Sequence, residues 1–443
     1  MQGNDQENKR LGKIGENSMK TVSGALAIKN GMLIDGTGAD PLDNAVIVIE
    51  DSKIAAVGQA RDINIPKNAR IIDASGKTVM PGLIDAHMHF SGFRSDNYTE
   101  ETIVTPHGLK LLRASRDAEA LLRAGYTTVK DCSSMNGVAL KRAIAEGTIP
   151  GPRVLAAGFA LSQTFGHGDT HFLPVEMADI RTSGGRGPEP VLLCDGVEEC
   201  IKGARYALRE GADFIKVCTT GGMLSEKDKP EHTQYNVEEI KAVVDVARAA
   251  GTFVTAHCQG TNGMHNSIDG GIKTIDHAIY PDEEAIEKAK KKGVVFVTTL
   301  SIMKSINEGG VEAGYPIWAV DKSRKAWSSV VKNMAKLREG GATVASGTDF
   351  LGSKMTKMGT NALELELLAK YSGFSPMEAI VTATLNGAKA CALEANIGSI
   401  EEGKLADIII VDGNPLKNIK IFQDIERIRT VIKQGKIEVN RNP

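Results

Sequence analysis

Residues 79–90 read VMPGLIDAHMHF, an apolar run that ends in two histidines separated by one residue. In an extended strand, residues two apart point to the same side, so the imidazoles of His87 and His89 project into one space. Two convergent imidazoles form half of a metal site, and imidazole suits zinc and similar divalent ions. The pair alone does not establish such a site, so the rest of the chain must supply further ligands.

The middle of the chain alternates strand-like and helix-like segments. Strands are predicted at Val79–Asp85, Thr127–Asp131, Val154–Phe159, Phe214–Cys218, Phe253–His257, Thr274–Ala278, Val294–Leu300 and Val344–Asp349. Helical patterns fall between several of them, at Val237–Ala250, Asp282–Lys291 and Ala326–Glu339. Eight β-α units in roughly 320 residues predict an α/β fold of the (β/α)8 TIM-barrel type, whose active sites lie at the carboxyl ends of the strands.

Both ends of the chain carry short strand-like runs separated by glycine and aspartate turn formers. These runs are predicted at Ala25–Ile28, Met32–Gly36, Ala45–Ile49, Arg70–Asp73, Ala406–Asp412 and Arg429–Lys436. Because they flank one large region, they predict a small composite β-sandwich domain built from both termini. We expect residues 21–78 and 397–443 to form this domain, residues 79–396 to form the barrel, and residues 1–20 to be a disordered tail.

The composition is that of an ordinary globular protein, with 42% hydrophobic and 24% charged residues. A net charge of -2 gives no electrostatic footprint for nucleic acid or an anionic membrane. No apolar run approaches the ~20 residues that a membrane-spanning helix needs. The first eighteen residues lack the apolar core of a secretory signal, and the six cysteines form no CxxC pair, so a reducing cytoplasm is the expected setting.

Three further ligand-type residues end predicted strands of the barrel. His257 and His277 close the fifth and sixth strands, and for either alone a hydrogen-bonded core histidine is the commoner explanation. Asp349 closes the eighth strand, where a helix N-cap is the alternative role. All three share the barrel mouth with the histidine pair, which favours metal ligation. A carboxylate at Asp349 can also take a proton from an activated water.

Lys216 stands inside an apolar strand that reads GADFIKVC over residues 211–218. A buried lysine must lower its pKa or find a partner. A neutral amine can react with carbon dioxide to give a carbamate, an anion whose two oxygens can bridge two metal ions. The alternative is an ion pair with a carboxylate such as Asp131 or Asp85.

Together these motifs resemble the amidohydrolase superfamily, in its imidazolonepropionase-related and Xaa-Pro dipeptidase (prolidase)-like branch. The resemblance covers nearly all of residues 21–440. Besides the two strand-end histidines, it rests on the segments Pro81–His89, Phe214–Val217, Gly347–Asp349 and Gly403–Ile408.

The resemblance implies a binuclear centre, usually of zinc. Its six ligands divide between two ions: His87, His89 and Asp349 hold one, His257 and His277 hold the other, and carbamylated Lys216 bridges them. Mononuclear relatives, including deaminases and true imidazolonepropionases, lack this lysine. Its presence therefore favours hydrolysis by a metal-bridging hydroxide, with Asp349 as the catalytic residue that moves the proton to the leaving amine.

Two more residues resemble positions that relatives use for the substrate. His167 lies in the loop after the third strand, and Tyr235 precedes the helix after the fourth. The resemblance implies that both hold the substrate's carboxylate or carbonyl oxygen, which makes His167 a catalytic residue as well. The alternatives are a solvent-exposed loop histidine and a tyrosine that packs against the helix. Phe165 stands where the family usually has glycine, which predicts a bulkier loop over the site.

The favoured function is a binuclear metal-dependent hydrolase that cleaves the C-terminal amide bond of small N-acyl amino acids or dipeptides. A second possibility keeps the metal centre but takes another amide, lactam, ester or phosphotriester. The least favoured is a non-catalytic barrel scaffold, whose signature would be lost ligands, and all six are present here. We expect a small-molecule substrate, no nucleic-acid or membrane partner, and a homo-oligomer, since relatives commonly assemble.

Overall fold

A computed structural model describes residues 24–183 and 191–441, so the predicted tail at 1–20 lies outside the described residues. The strands are β1 Leu26–Leu33, β2 Leu42–Glu50, β3 Lys53–Gln59, β4 Arg70–Asp73, β5 Lys77–Pro81, β6 Leu83–Met88, β7 Tyr126–Asp131, β8 Arg153–Ala156, β9 Ala160–Ser162, β10 Val191–Leu193, β11 Ile215–Cys218, β12 Val254–Cys258, β13 Thr274–His277, β14 Val295–Thr298, β15 Val344–Ser346, β16 Ile408–Asp412, β17 Ile428–Lys433 and β18 Lys436–Asn440.

The helices lie mostly between the strands of the central region. They are α1 Tyr98–Val104, α2 His107–Arg123, α3 Met135–Ala145, α4 Val175–Ala178, α5 Ile180–Ser183, α6 Gly196–Arg209, α7 Val237–Ala249, α8 Thr261–Gly270, α9 Glu283–Lys292, α10 Leu300–Gly309, α11 Ile317–Glu339, α12 Leu363–Tyr371, α13 Pro376–Thr382 and α14 Leu385–Ala390. Short 3-10 helices occur at Val311–Ala313, Ile419–Gln423 and Ile425–Arg427. Within the described ranges, no helix is long and apolar enough to span a bilayer.

The central strands form the predicted barrel in two parallel sheets. One runs β6-β7-β8, and the other runs β10-β9-β11-β12-β13-β14-β15. Backbone hydrogen bonds join the two sheets. The Thr348 and Asp349 N–H groups donate to the His87 carbonyl at 2.9 and 2.8 Å, and the Asp213 N–H donates to the Ala156 carbonyl at 2.8 Å. The first of these contacts sets Asp349 directly beside the histidine pair.

The first predicted barrel strand, Val79–Asp85, is wrong in its first half. Its opening residues belong to β5, which pairs antiparallel with β16 in the terminal sheet, and the barrel begins only at β6. The chain changes sheets at Gly82, where an added Cβ would lie 2.2 Å from Thr127 Oγ1. The run reads as one strand because both halves are buried, and only Pro81-Gly82 marks the break.

The third and eighth predicted strands also differ from the structure. Val154–Phe159 covers β8 and stops short of β9, with Gly158 between them at φ 67°. The eighth strand ends at Ser346, so Asp349 follows it in a loop instead of closing the strand. Helix α11 begins at Ile317, after Pro316, and thus precedes the predicted start at Ala326. Its first turns carry exposed charged residues that weaken the apolar periodicity.

Strands from both termini form one mixed sheet, in the order β18-β17-β16-β5-β1-β2-β3 with β4 beside β1. This sheet stands where the composite β domain is predicted, and its core is rich in isoleucine, with Ile28, Ile47 and Ile408 fully buried. The last predicted run, Arg429–Lys436, is in fact most of a hairpin. It turns at Gln434-Gly435, whose φ values of 51° and 76° match the left-handed geometry that a tight hairpin favours.

Candidate active site

The predicted histidine pair meets the predicted aspartate at the mouth of the barrel. Both His87 Nε2 and His89 Nε2 face Asp349 Oδ1, at 3.4 and 3.0 Å. One ligand atom from each of the three residues falls within a cluster 4.8 Å across. Although burial opposes ionisation, hydrogen bonds from the two histidines hold the pKa of Asp349 well below its usual range. The aspartate is therefore a carboxylate at neutral pH.

The other two predicted histidines line the same space. The rings of His257 and His277 have centroids 4.5 Å apart, and that of His277 lies 4.7 Å from that of His87. Burial, together with the neighbouring ionisable groups, holds the pKa of His257 and of His277 well below the ordinary value. Both rings are neutral at pH 7 and can offer a nitrogen lone pair.

Left-handed backbone turns two of the candidate ligands into the site. His277 has φ 73° and Asp349 has φ 59°, values that non-glycine residues seldom adopt. Ala278 follows His277 with φ 45°. Such strained backbone conformations persist only where the surrounding structure holds them in place. They are found most often at functional sites.

The donor set fits a divalent cation. His87 Nδ1 lies 2.8 Å from Asp276 Oδ2, and His89 Nδ1 lies 3.2 Å from the Ser133 carbonyl oxygen. With its outer nitrogen held in this way, each ring directs Nε2 towards Asp349. Metal-binding histidines are typically oriented by just such a contact to a carboxylate or a carbonyl. The neutral imidazoles of His257 and His277 and the ionised Asp349 are ligands that zinc prefers. Cys132 and Asp276, in contrast, outweigh burial and raise the pKa of His87, so that His87 would have to lose a proton to bind a metal ion.

Lys216 is buried in β11 next to these residues, and it has a carboxylate partner. Its Nζ donates to Asp276 Oδ2 at 2.7 Å. Burial alone would lower the pKa of Lys216, but Asp276 and Cys132 outweigh it and raise the pKa, so the amine is an ammonium ion here. The sequence suggests an ion pair of Lys216 with Asp131 or Asp85 as the alternative to carbamylation. In the structure the partner carboxylate is that of Asp276. Carbamylation of Lys216 remains a prediction.

Sequence reasoning missed two buried residues beneath the site, Asp276 and Lys130. Lys130 Nζ donates to Thr255 Oγ1 at 2.9 Å and to Thr274 Oγ1 at 3.1 Å, and it lies 3.9 Å from Asp276 Oδ1. Asp276 thus stands between two lysine side chains. The available signal is that each is an ionisable residue inside a buried barrel strand, next to the strand-end residue Asp131 or His277.

His167 lies where the sequence places it, after β9 and against the other histidines. Its ring stacks on that of His257, with centroids 3.8 Å apart and planes 15° apart. Its Nδ1 is 2.9 Å from Ser225 Oγ, and the Ser225 hydroxyl donates to Asp228. Because that hydroxyl proton is used, Ser225 accepts from His167 Nδ1–H, which leaves the lone pair on Nε2.

The charge state of His167 follows from its burial, which lowers its pKa to about 4. The neutral ring can therefore accept a hydrogen bond from a substrate N–H group at Nε2. Donation to a substrate oxygen would require a second proton or the opposite tautomer, which the contact between Ser225 and Asp228 disfavours.

The segment that carries Ser225 is fixed by Lys322 of α11. The Lys322 ammonium donates to the carbonyl oxygens of Gly222, Ser225 and Asp228 at 3.0, 2.6 and 2.6 Å. One cation thereby fastens the loop after β11 to α11, and Ser225 in this loop contacts the His167 ring.

The predicted substrate contact of Tyr235 is corrected by the structure. Its side chain is fully buried in the main hydrophobic core, and its hydroxyl donates to the Cys194 carbonyl at 3.1 Å. A buried tyrosine normally needs one such partner for its hydroxyl, and here a backbone group supplies it. The group is therefore not placed to bind a substrate carboxylate.

Phe165 occupies the position where a glycine was expected from the resemblance, and its backbone retains the geometry of a glycine. Its φ is 66°, and its half-exposed side chain stacks on His171 with ring centroids 5.3 Å apart. The loop after β9 therefore carries an aromatic pair close to His167.

Comparison with known proteins gives these residues a context. The profile of the amidohydrolase family matches residues 78–437 of the chain. Ochratoxinase from Aspergillus niger is 36% identical over 429 residues, covering 92% of this chain and 85% of that protein. An imidazolonepropionase from Geobacillus sp. (strain WCH70) is 25% identical over 431 residues, covering 90% and 91%.

Solved structures agree with these sequence matches. The crystal structure of A. niger ochratoxinase superposes with a TM-score of 0.83 at 34% identity, covering 94% of this chain and 96% of that one. A prolidase complexed with N-methylphosphonate-L-proline superposes with a TM-score of 0.85 at 30% identity, covering 94% and 100%. The predicted superfamily, the barrel and the hydrolase class are thereby confirmed. The chain belongs to the amidohydrolase family.

Proposed function

We propose that the protein is a binuclear metal-dependent hydrolase that cleaves the amide bond of small N-acyl amino acids or dipeptides. The observation that carries the proposal is the convergence of four imidazoles and one carboxylate on one barrel mouth, beside a buried lysine. His87, His89 and Asp349 would hold one ion, and His257 and His277 would hold the other, with carbamylated Lys216 between them.

The bound ions would supply Lewis-acid polarisation of the substrate carbonyl and activation of water. The chain's own residues supply the rest of the chemistry. Asp349 is ionised and faces both His87 and His89, so it can receive the proton of the attacking water and deliver it to the leaving nitrogen. His167 would bind the substrate on the side of His257, through its Nε2 lone pair.

Carbamylation would change the charge balance under the site. The Lys216 ammonium first loses a proton, carbon dioxide then adds to the neutral amine, a second proton leaves, and the product is a carbamate anion. The reaction removes one of the two lysine cations that now flank Asp276, whose carboxylate retains Lys130 and His87 as partners. The new anion needs cations nearby, which the two proposed metal ions would provide.

The relatives support a substrate in which the bond that is cleaved joins an acyl group to the nitrogen of an amino acid. N-Methylphosphonate-L-proline carries a tetrahedral phosphorus on the proline nitrogen and so resembles the tetrahedral state in hydrolysis of an N-acyl proline. We carry this substrate class over to the present chain as a proposal. Zinc as the metal, a homo-oligomeric assembly and a cytoplasmic setting also remain predictions.

The test is hydrolysis of a panel of N-acyl amino acids and dipeptides by metal-loaded protein. Asp349→Asn should lower turnover ~10²–10⁴-fold, the range for general acid–base catalysis, and metal content measured in parallel separates this from ligand loss. Lys216→Ala should lose at least one ion and most activity, because two cations would then face each other without the bridging anion. Short carboxylic acids should partly restore it.

Exposed Lys241 and Asp245 offer matched controls, and Lys241→Ala and Asp245→Asn should behave as wild type. If Lys216→Ala keeps both metal and turnover, the bridging role is wrong. If only esters, lactams or phosphotriesters are hydrolysed, the metal centre stands and the substrate class is wrong.

A further inference from the structure

A cleft lies at the amino end of the barrel, opposite the candidate active site. Its wall includes Val344, the first residue of β15, whereas Asp349 follows the other end of that strand. The cleft has a volume of about 680 Å³ and lies between the loop that joins β1 to β2 and helices α11 and α13. Small-molecule sites have volumes of roughly 300–1,000 Å³ and are common where separate parts of a fold meet.

The floor of this amino-end cleft is apolar. Phe374 is 6% exposed and belongs to the main hydrophobic core, and Met377 and Leu416 pack against that core. The half-buried side chains of Pro41 and Val381 extend the apolar surface. A ligand with an apolar side chain would cover this surface and release the water in contact with it.

The neutral polar side chains of the cleft already have partners within the protein. Each makes a hydrogen bond of 2.6 to 3.2 Å, and they are Thr37, Ser375, Thr382 and Asn386. The Glu378 carboxylate is used as well, since it accepts from the Ser375 N–H at 2.7 Å and from Arg338 Nε at 3.1 Å. A ligand must therefore be recognised by the charged groups that remain.

Two charged side chains of the cleft keep unused hydrogen-bonding atoms. Arg338 contacts Glu378 through Nε, and within residues 24–183 and 191–441 no acceptor lies at its two Nη groups. Asp40 is exposed and has no hydrogen bond or ion pair with another described side chain. The Nη groups of an arginine suit a carboxylate, which they can bind through two parallel hydrogen bonds, and a carboxylate suits an ammonium group.

We propose that this cleft is a second ligand site, which binds a free amino acid with an apolar side chain. Arg338 binds its carboxylate, Asp40 binds its ammonium group, and the apolar surface around Phe374 covers its side chain. An available cationic group and an available anionic group in one cleft match a zwitterion better than a ligand with a single charge. Such an amino acid is also a product of the hydrolysis proposed above, but the site requires no turnover.

Calorimetry on the zinc-loaded protein tests the ligand class. L-Phenylalanine and L-leucine should bind at least tenfold more tightly than glycine, which leaves the apolar floor uncovered. They should exceed L-lysine and L-glutamate by a similar factor, because a charged side chain would lose water against that floor without gaining a partner. Equal affinities for all five amino acids would overturn the proposal.

Arg338→Gln tests the carboxylate contact. It should weaken L-phenylalanine binding about tenfold, the size expected for a hydrogen bond to a charged group. L-Phenylalaninamide lacks the carboxylate and should bind wild type and variant equally. Lys332→Gln, at an exposed position of α11 outside the cleft, should bind as wild type. Tighter binding of the amide than of L-phenylalanine by wild type would mean that the acidic groups alone select the ligand, and the proposal would fail.

Asp40→Asn tests the ammonium contact in the same way. It should weaken L-phenylalanine binding and leave the binding of 3-phenylpropionate, which has no ammonium group, unchanged. Asp43→Asn, at an exposed position of β2 outside the cleft, is the matched control and should bind as wild type. Equal losses on the amino acid and on its truncated analogue would show that Asp40 does not contact the ammonium group.

Removal of zinc separates this cleft from the barrel mouth. In chelator-treated protein, L-phenylalanine should still raise the urea midpoint of unfolding of wild type, and it should not raise that of Arg338→Gln. The variant should itself fold, because Glu378 keeps its contact with Ser375 at the start of α13. Binding that disappears with zinc and is insensitive to Arg338→Gln and Asp40→Asn would place the amino acid at the metal centre and overturn the proposal.

The site and the proposed function fail separately. Binding of L-phenylalanine that depends on Arg338 and Asp40, in a protein that hydrolyses no amide, would refute the proposed function and leave the site standing. Hydrolysis of N-acyl amino acids by a protein whose cleft binds no amino acid would support the proposed function and refute the site.

Discussion

The His87 imidazole and the Asp276 carboxylate are joined by a 2.8 Å contact in the buried floor of the site. The same carboxylate oxygen accepts a hydrogen bond from Lys216 at 2.7 Å, and its second oxygen lies 3.9 Å from Lys130 Nζ. Asp276 thereby links a proposed ligand of one metal ion to the proposed bridge between the two. Because this buried carboxylate contacts proposed metal ligands and two buried lysines, we expect it to affect both metal binding and the stability of the barrel.

Asp276→Asn should damage both functions of this residue. In the metal-free protein with Lys216 uncarbamylated, it leaves the Lys216 and Lys130 ammonium groups buried without their counter-charge, which typically costs about 3–5 kcal/mol when one partner of a buried pair is removed. Urea denaturation should report that loss in free energy of unfolding, and elemental analysis should report weaker metal retention. Asp245→Asn, which breaks an exposed pair with Arg248, should stay within ~0.5 kcal/mol of wild type. An Asp276→Asn protein with wild-type stability and metal content would remove Asp276 from this role.

Ser225→Ala should act through His167, because Ser225 connects that ring to Asp228. With the Nδ1 partner gone, we expect kcat/KM to fall about tenfold, the equivalent of one hydrogen bond, with metal content unchanged. The decisive comparison is a double-mutant cycle. In a His167→Ala background, Ser225→Ala should have no further effect on kcat/KM. Additive losses would show that Ser225 serves the loop and not His167.

Tyr235→Phe should reduce stability without changing specificity. The substitution leaves the buried Cys194 carbonyl without its donor, a loss of about 1–3 kcal/mol in free energy of unfolding. Free-acid substrates and their methyl esters should be affected to the same extent, because the hydroxyl lies in the hydrophobic core. A selective loss on the free acids would restore Tyr235 as a carboxylate-binding residue.

Glu364 makes part of the stability depend on pH. This buried carboxyl accepts from the Leu300 N–H at 3.0 Å and the Ser301 N–H at 2.8 Å, at the start of α10, and burial raises its pKa to about 7. The folded state therefore binds a proton more tightly than the unfolded state, with its ordinary pKa near 4.5. The corresponding stability is complete below pH 4.5 and is lost as the pH rises to 7, by about 3 kcal/mol in total.

Glu364→Gln removes the titrating carboxyl group. The substitution can also change the free energy of unfolding by an amount that does not depend on pH, so the test is the slope of stability against pH. Urea midpoints between pH 4.5 and 8 should fall less steeply with pH in the variant than in wild type. Glu312→Gln, at an exposed position, should keep the wild-type slope. Identical slopes for wild type and Glu364→Gln would mean that Glu364 titrates near its ordinary pKa in the folded protein.

The sequence predicts those parts of the site that depend on strand periodicity. His87 lies in β6 and His89 directly follows its end, and both face one side because side chains alternate along extended backbone. His257 and His277 follow from the positions of β12 and β13. The barrel itself follows from the repeated alternation of strands and helices. These features depend on local pattern, which a single sequence displays directly.

Other parts depend on contacts that local pattern does not encode. Asp276 precedes His277 in β13 and would alternate to the opposite side of a regular strand, but the φ of 73° at His277 turns both side chains into the site. Tyr235 lies next to the start of α7, and only the tertiary packing shows that its hydroxyl meets Cys194. The change of sheet at Gly82 is likewise set by the approach of Thr127.

The central claim is that two metal ions act together at this barrel mouth. Chelator-treated protein should be titrated with zinc while bound metal and hydrolysis of N-acetyl-L-phenylalanine are measured on the same samples. We predict that two ions bind per chain, and that activity reaches its maximum only as the second is bound. Full activity with one tightly bound ion per chain, or with none, would contradict the account.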